Sequence, residues 1–345
     1  MQFHISSPES SFRAAVQAEM DNKTKPLHSL GRLEELAIQI AMVQGTLKPR
    51  IEKPSLLVFA ADHGVARTGV SPYPQSVTGA MVRNFSQGGA AINVMTRELG
   101  WDLHLINAGT LEPTPWPGVL DRRLGPGTRN MLEESAMTVP ELLQALRTGA
   151  ELVQKLKSEG CNTLAFGEMG IGNSSSAALL IHCLCDVPLP AAISRGAGCD
   201  DTQLQQKRLR LEEALQKHGR VTAPFEALRI FGGFELAMMA GAALAAAEER
   251  MLIVVDGLIA SAAILVAIKA YPEMKPYLLF AHRSAADGHT ALLEHLKMEP
   301  LLDLNMRLGE GTGAALALPL IRTAAALLCD MATFATAEVE GPVRS

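Results

Sequence analysis

Two acids stand out by their surroundings. Glu168 lies in "GEMGIGNSSS" and Glu310 in "MRLGEGTGAALALPL", each beside glycines in a weakly polar run. Removal from water favours the protonated form of a carboxyl group, which pushes its pKa toward the range where a general base works. A structural carboxylate that accepts backbone N–H bonds has the same appearance in sequence, so both readings stand for each residue. The "GEMGIGNSSS" turn suggests a second chemistry. Glycines and hydroxyls that open a helix offer free N–H groups to a phosphate, and Gly170 and Asn173 belong to that turn. The alternative is that Asn173 or Ser174 simply caps the helix. Gly196, Gly198 and Gly257, with Ser284, favour a shared phosphate cradle. Lys207 could add positive charge there, although a lone lysine is more often a solvated surface residue. The turn matches neither G-x-x-x-x-G-K-[ST] nor G-x-G-x-x-G, so neither a Walker ATPase nor a standard dinucleotide fold is indicated.

Something must bring these distant residues together. Short apolar runs, each ending in small or polar residues and then yielding to helical periodicity, predict an α/β fold. The expected strands are residues 54–64, 101–109, 161–170, 189–198, 250–257 and 275–284. Most are apolar throughout, as parallel strands covered on both faces should be. Their carboxyl ends carry Asp62-His63-Gly64, Asn107-Ala108-Gly109, Gly167-Glu168, Arg195-Gly196, Asp256-Gly257 and His282-Arg283-Ser284. Open α/β sheets bind ligands in the crevice outside those ends. The expected fold is therefore a doubly wound, mainly parallel six-stranded Rossmann-like sheet over residues 51–320. A smaller helical domain is expected from residues 1–50, joined by part of 320–345, with the final "AEVEGPVRS" frayed.

Composition narrows the partners. Of 345 residues, 48% are hydrophobic and 19% charged, with a net charge of -5, so nothing basic is in excess for binding nucleic acid. The longest apolar runs, 236–247 and 258–268, fall short of the roughly 20 residues a spanning helix needs and read as core helices. No basic segment followed by an apolar one opens the chain, which predicts a cytoplasmic protein with no membrane partner. The five cysteines form no C-x-x-C pair and no metal-type spacing with histidine, so buried reduced thiols are expected and no metal.

Taken together and in order, "KPLHSLGRLEELAIQ", "ADHGVARTGVSPYPQSVTGAM", "GEMGIGNSS", "GGFELAMMAGA", "VVDGLIASAA", "KPYLLFAHRSA" and "MRLGEGTGAALALPL" resemble the nicotinate-nucleotide–dimethylbenzimidazole phosphoribosyltransferase family, from about Lys25 to about Leu320. The resemblance implies transfer of phosphoribose from nicotinate mononucleotide to 5,6-dimethylbenzimidazole, giving α-ribazole 5'-phosphate and nicotinate for the lower ligand of cobalamin. It implies Glu310 as the general base, Glu168 in support, and Lys207 near the nucleotide. Phosphate contacts fall at Gly170, Gly196 and Ser284. Asn173, Asp256, Gly257 and Leu308 join the substrate-binding set. No cofactor is implied, the partners are the two small substrates, and the assembly is a homodimer.

The resemblance also has departures. Tyr73 and Met81 align with a serine and a glutamine that face the benzimidazole in the best-known members, and His28 replaces a usual glycine. A different acceptor, another benzimidazole or a phenol, is the alternative these changes raise. Asp62 and His63 read as wall residues bonding the strand end. A nucleotide-dependent oxidoreductase is disfavoured by the missing G-x-G-x-x-G. A non-catalytic partner subunit is disfavoured by the intact Glu310, Glu168 and Lys207.

Overall fold

The computed structural model describes residues 2–113 and 115–341. The last four residues of the tail expected to fray lie outside them. In chain order, α1 (Phe12–Asp21) and α2 (Arg32–Gln44) precede β1 (Ser55–Ala61), α3 (Ser76–Ser86), α4 (Ala91–Leu99), β2 (Asp102–Gly109) and β3 (Val119–Asp121). Then come α5 (Val139–Ser158), β4 (Thr163–Met169), α6 (Asn173–Leu184), α7 (Leu189–Ala192), α8 (Asp201–His218) and α9 (Pro224–Phe231). The chain continues through α10 (Phe234–Glu248), β5 (Leu252–Val255), α11 (Leu258–Ala270), β6 (Leu278–Phe280), α12 (His289–Leu296) and α13 (Thr312–Asp330).

The six strands form one sheet in the order β3-β2-β1-β4-β5-β6, and every pairing is parallel. Chain direction across the sheet reverses between β1 and β4, the position where doubly wound sheets open a crevice. All seven residues of β1 and all four of β5 are buried, which explains their unbroken apolar sequence.

One expected strand is absent and another was not foreseen. Residues 189–198 form the short helix α7 and a turn. Pro190 cannot donate to a sheet ladder, and a proline at the start of a helix loses nothing. The sixth strand is β3, a three-residue edge strand paired to β2.

Local sequence starts and stops the helices. Thr138 caps α5: its hydroxyl accepts from the Glu141 amide at 3.3 Å, and the Glu141 carboxylate accepts from the Thr138 amide at 2.6 Å. Asp200 and Gln203 make the same reciprocal pair at the start of α8. Helices α10 and α11 are buried almost all round, so they form the inner packing layer. Where α5 crosses α10, a Cβ on Gly149 would lie 1.9 Å from the Met238 carbonyl oxygen and one on Gly241 2.1 Å from that of Leu146. Only backbone fits at that crossing.

α1 packs on α2, and α2 on α13. The segment after α13 returns to the N-terminal one, with the Thr24 amide donating to the Ala332 carbonyl at 3.0 Å and the Phe334 amide to that of Asn22 at 3.2 Å. α13 is long and apolar enough to cross a membrane by composition. More than half of it is buried against α2, α4, β4 and β5, so here it is a core helix. A single hydrophobic cluster runs through the protein from Phe3 to Leu328. Cys161, Cys183, Cys185 and Cys199 are buried and Cys329 is half-buried, all as free thiols.

Candidate active site

The carboxyl ends of β4, β5 and β6 open onto a cavity of about 670 Å³, closed by the start of α6 and by the turn before α13. Ten of the twelve residues expected from sequence line it: Tyr73, Met81, Glu168, Gly170, Asn173, Gly196, Gly257, Ser284, Leu308 and Glu310. Lys207 and Asp256 stand behind its wall.

Gly309, Glu310 and Gly311 all adopt left-handed backbone, with φ of 89°, 62° and 90°. For a side-chain-bearing residue this conformation costs about 1–2 kcal/mol, so the fold holds Glu310 in place against a local preference. The turn is closed by Thr312, whose amide and hydroxyl donate to the Gly309 carbonyl at 3.0 and 2.8 Å. Glu310 is buried, and its Oε2 accepts from the Ile92 amide at 3.3 Å, at the N-terminus of α4. Burial raises its pKa above the usual carboxylate range. The Ile92 N–H opposes that shift and the Asp256 charge adds to it.

Glu168 is the next-to-last residue of β4, beside this turn. A Cβ on Gly309 would lie 2.4 Å from Glu168 Oε1, so the carboxylate rests against the Gly309 backbone. Its Oε2 accepts from the Asn173 side-chain amide. Burial pushes the Glu168 pKa up to about 8, against the Asn173 bond and with the charges of Asp256, Glu235 and Glu310. Asp256 is buried as well. It accepts from the Ala314 amide at 3.0 Å and lies 3.6 Å from His282 Nε2, and burial outweighs that imidazole to raise its pKa.

A cation stands behind Ser174 and Ser194 of the cavity wall. Lys207 is fully buried, contrary to the common solvated state of a lone lysine, and Nζ donates to Ser174 Oγ at 2.8 Å and to the Ser194 carbonyl at 2.9 Å. Burial lowers its pKa to about 8, and it makes no ion pair with a carboxylate among the described residues. Gly196, at φ 53°, covers this ammonium: a Cβ there would meet Ser174 Oγ at 2.7 Å and Lys207 Nζ at 3.6 Å. The "RGAG" turn therefore reaches the cavity although no strand leads into it.

The flank is apolar. Val77 and Met81 are four residues apart on α3 and share a face, with the half-exposed Tyr73 before the helix and the exposed Leu308 also lining the cavity. Asp62 and His63 lie behind the cavity. Asp62 accepts from the Leu111 amide at 2.7 Å, just past the end of β2, and His63 Nε2 is 2.6 Å from Glu235 Oε1.

Sequence reasoning named His282 at a strand end without giving it a role and passed over Ser194 and Arg307; all three line the cavity. His282 had a signal, its place at a strand end. Arg307 immediately precedes "LGEG", but nothing in the pattern separates it from a surface arginine. The arrangement as a whole has two adjacent acids, a buried cation and an apolar flank. It can accept a proton at Glu310, hold an anion near Lys207 and pack a flat ring between them.

A family profile described as Phosphoribosyltransferase matches residues 5–339. The nicotinate-nucleotide–dimethylbenzimidazole phosphoribosyltransferase of Ralstonia nicotianae is 52% identical over 343 residues, 98% of this chain and 97% of that protein. The enzyme of the same name from Aromatoleum aromaticum is 49% identical over 99% of this chain and all of its own. The crystal structure of CobT from Thermus thermophilus superposes with a TM-score of 0.92 at 41% identity, covering 96% of this chain and all of that one.

Proposed function

The chain belongs to the nicotinate-nucleotide–dimethylbenzimidazole phosphoribosyltransferase family, and on that premise we propose that its cavity transfers phosphoribose from nicotinate mononucleotide to 5,6-dimethylbenzimidazole. The products are α-ribazole 5'-phosphate and nicotinate, which places the enzyme in the synthesis of the lower ligand of cobalamin. The observation that carries the assignment of roles is Glu310, held on a left-handed turn with its carboxylate buried and its pKa raised.

The donor is a β-nucleotide and the product an α-nucleotide, so the acceptor nitrogen attacks from the face opposite nicotinate. One displacement with inversion suffices. The C–N bond to nicotinate breaks and its electron pair neutralises the pyridinium ring, which therefore leaves without acid assistance. Glu310 takes the proton from the benzimidazole N–H as the other ring nitrogen bonds to the anomeric carbon. Glu168, protonated near neutrality, supports the turn and donates toward the sugar. Gly170, Asn173, Gly196, Lys207 and Ser284 hold the phosphate end, with Gly257 beside them. Asp256 acts from behind, through His282 and the start of α13. Tyr73, Met81 and Leu308 clasp the acceptor ring. Alignment of two bound rings can supply about 7–11 kcal/mol, and the base about 10²–10⁴-fold.

The same proposal extends to a cytoplasmic homodimer. In it, α1, α2 and the end of α13 act as a small helical domain. Sedimentation of the purified protein checks the dimer.

The activity test supplies nicotinate mononucleotide and dimethylbenzimidazole to the purified protein and measures nicotinate released. Release is expected, and Glu310→Gln should lower it by about 10²–10⁴-fold while both substrates still bind. No release with any benzimidazole or phenol overturns the enzymatic reading, and an active Glu310→Gln removes Glu310 as the base.

A further inference from the structure

His289 opens α12 and is completely buried. Its Nδ1 lies 2.8 Å from the amide nitrogen of Ser284. An amide N–H only donates, so Nδ1 is the acceptor and the ring proton sits on Nε2. That nitrogen lies 3.0 Å from Ser261 Oγ on α11, to which it donates. The tautomer is thus fixed at both ends. Burial, followed by the neighbouring His282 and Arg283, lowers the pKa to about 3, which keeps the ring neutral at working pH.

What this ring holds is part of the cavity wall. Ser284 Oγ accepts from the Ala286 amide at 3.2 Å. A Cβ on Gly257 would lie 3.5 Å from the same oxygen. With its amide committed to His289, the donor Ser284 can offer a ligand is its hydroxyl proton. The direction of that hydroxyl depends on the backbone the imidazole fixes.

We propose that His289 is a positioning residue for the phosphate of the donor nucleotide, acting through the Ser284 backbone. This rests on the reading of Ser284 as a phosphate contact. Removing the acceptor leaves a buried N–H unmet, and the turn shifts to find a new partner.

The test compares His289→Asn, His289→Gln and Ser284→Ala with the wild type. In the Asn variant Oδ1 takes the place of Nδ1. Gln reaches toward the place of Nε2 and leaves the Ser284 amide unmet. His289→Gln should raise the KM for nicotinate mononucleotide by about tenfold or more, with the acceptor KM unchanged and His289→Asn restoring most of the loss. With nicotinate riboside, which lacks the phosphate, wild type and His289→Gln should have the same KM. A general loss of structure would move both substrates and both variants together. Equal impairment of Asn and Gln, or an unchanged donor KM in Gln, overturns the role of His289. An unchanged donor KM in Ser284→Ala overturns the reading of Ser284 itself.

Discussion

Gly167 lies so close beneath the carbonyl of Glu310 that a Cβ atom on it would come within 2.1 Å of that oxygen. The strand that carries Glu168 is therefore also the surface on which the Glu310 turn rests. The two acids keep their spacing because one strand sets both.

Gly167→Ala should separate them. The added methyl has only backbone to push against, at an overpacking cost of about 1–3 kcal/mol. A displacement of about 1 Å at the base can cost about 10²-fold in rate. Thermal unfolding should show a folded but less stable protein, and steady-state assays a fall in kcat of that order. A wild-type rate would mean that the turn can move without consequence.

Glu168 makes stability depend on pH with an unusual sign. Its folded pKa of about 8 stands above the 4.5 of a free glutamate, so the folded protein binds this proton more tightly than the unfolded chain does. The associated stability is complete below pH 4.5 and is lost as pH rises through 8. Glu168→Gln removes that dependence, so the Tm difference in favour of the variant should widen from pH 5 to pH 8. A difference flat across that window contradicts the buried, protonated acid.

Lys207 predicts the opposite limb. Its pKa is lowered from 10.5 to about 8, so the fold binds this proton less tightly than the unfolded chain does. Stability from this group is complete above pH 10.5 and is lost as pH falls through 8. Replacing it with methionine should help most at pH 7 and progressively less toward pH 10.5, whatever constant cost follows from losing the bonds to Ser174 and Ser194. The donor KM should rise in the same variant. A donor KM equal to wild type removes Lys207 from the nucleotide end.

Tyr73 and Met81 line the apolar flank of the cavity. Tyr73→Ser with Met81→Gln should therefore change the ranking of acceptor rings and leave the donor KM within about twofold, since neither side chain shares a hydrogen bond with Lys207, Ser174 or Ser284. Competition between dimethylbenzimidazole, other benzimidazoles and phenols measures the ranking directly. An unchanged ranking would place acceptor choice elsewhere.

Much of the sheet could be read because parallel strands buried on both faces leave unbroken apolar runs, as β1 and β5 do. β3 could not: three residues after Pro113, Pro115 and Pro117 are too few to show a period. Residues 189–198 misled because their apolar content outweighed Pro190, the signal against a strand. The acids were visible through their glycines. The burial of Lys207 was not, since α8 is largely polar and the groups around the amine, Ser174, Ser194 and Gly196, are distant in sequence. His289 left no trace either, because its partners, Ser261 and the Ser284 amide, are distant in sequence or part of the backbone.

The parallel sheet gives the molecule a direction. The candidate site lies at one pole, while the amino ends of the strands face the other, where Lys155 on the last turn of α5 is 70% exposed beside the approach to β4. A linker or dye attached there would tether the enzyme with its mouth outward. Immobilised catalyst and free catalyst should then bind their substrates alike.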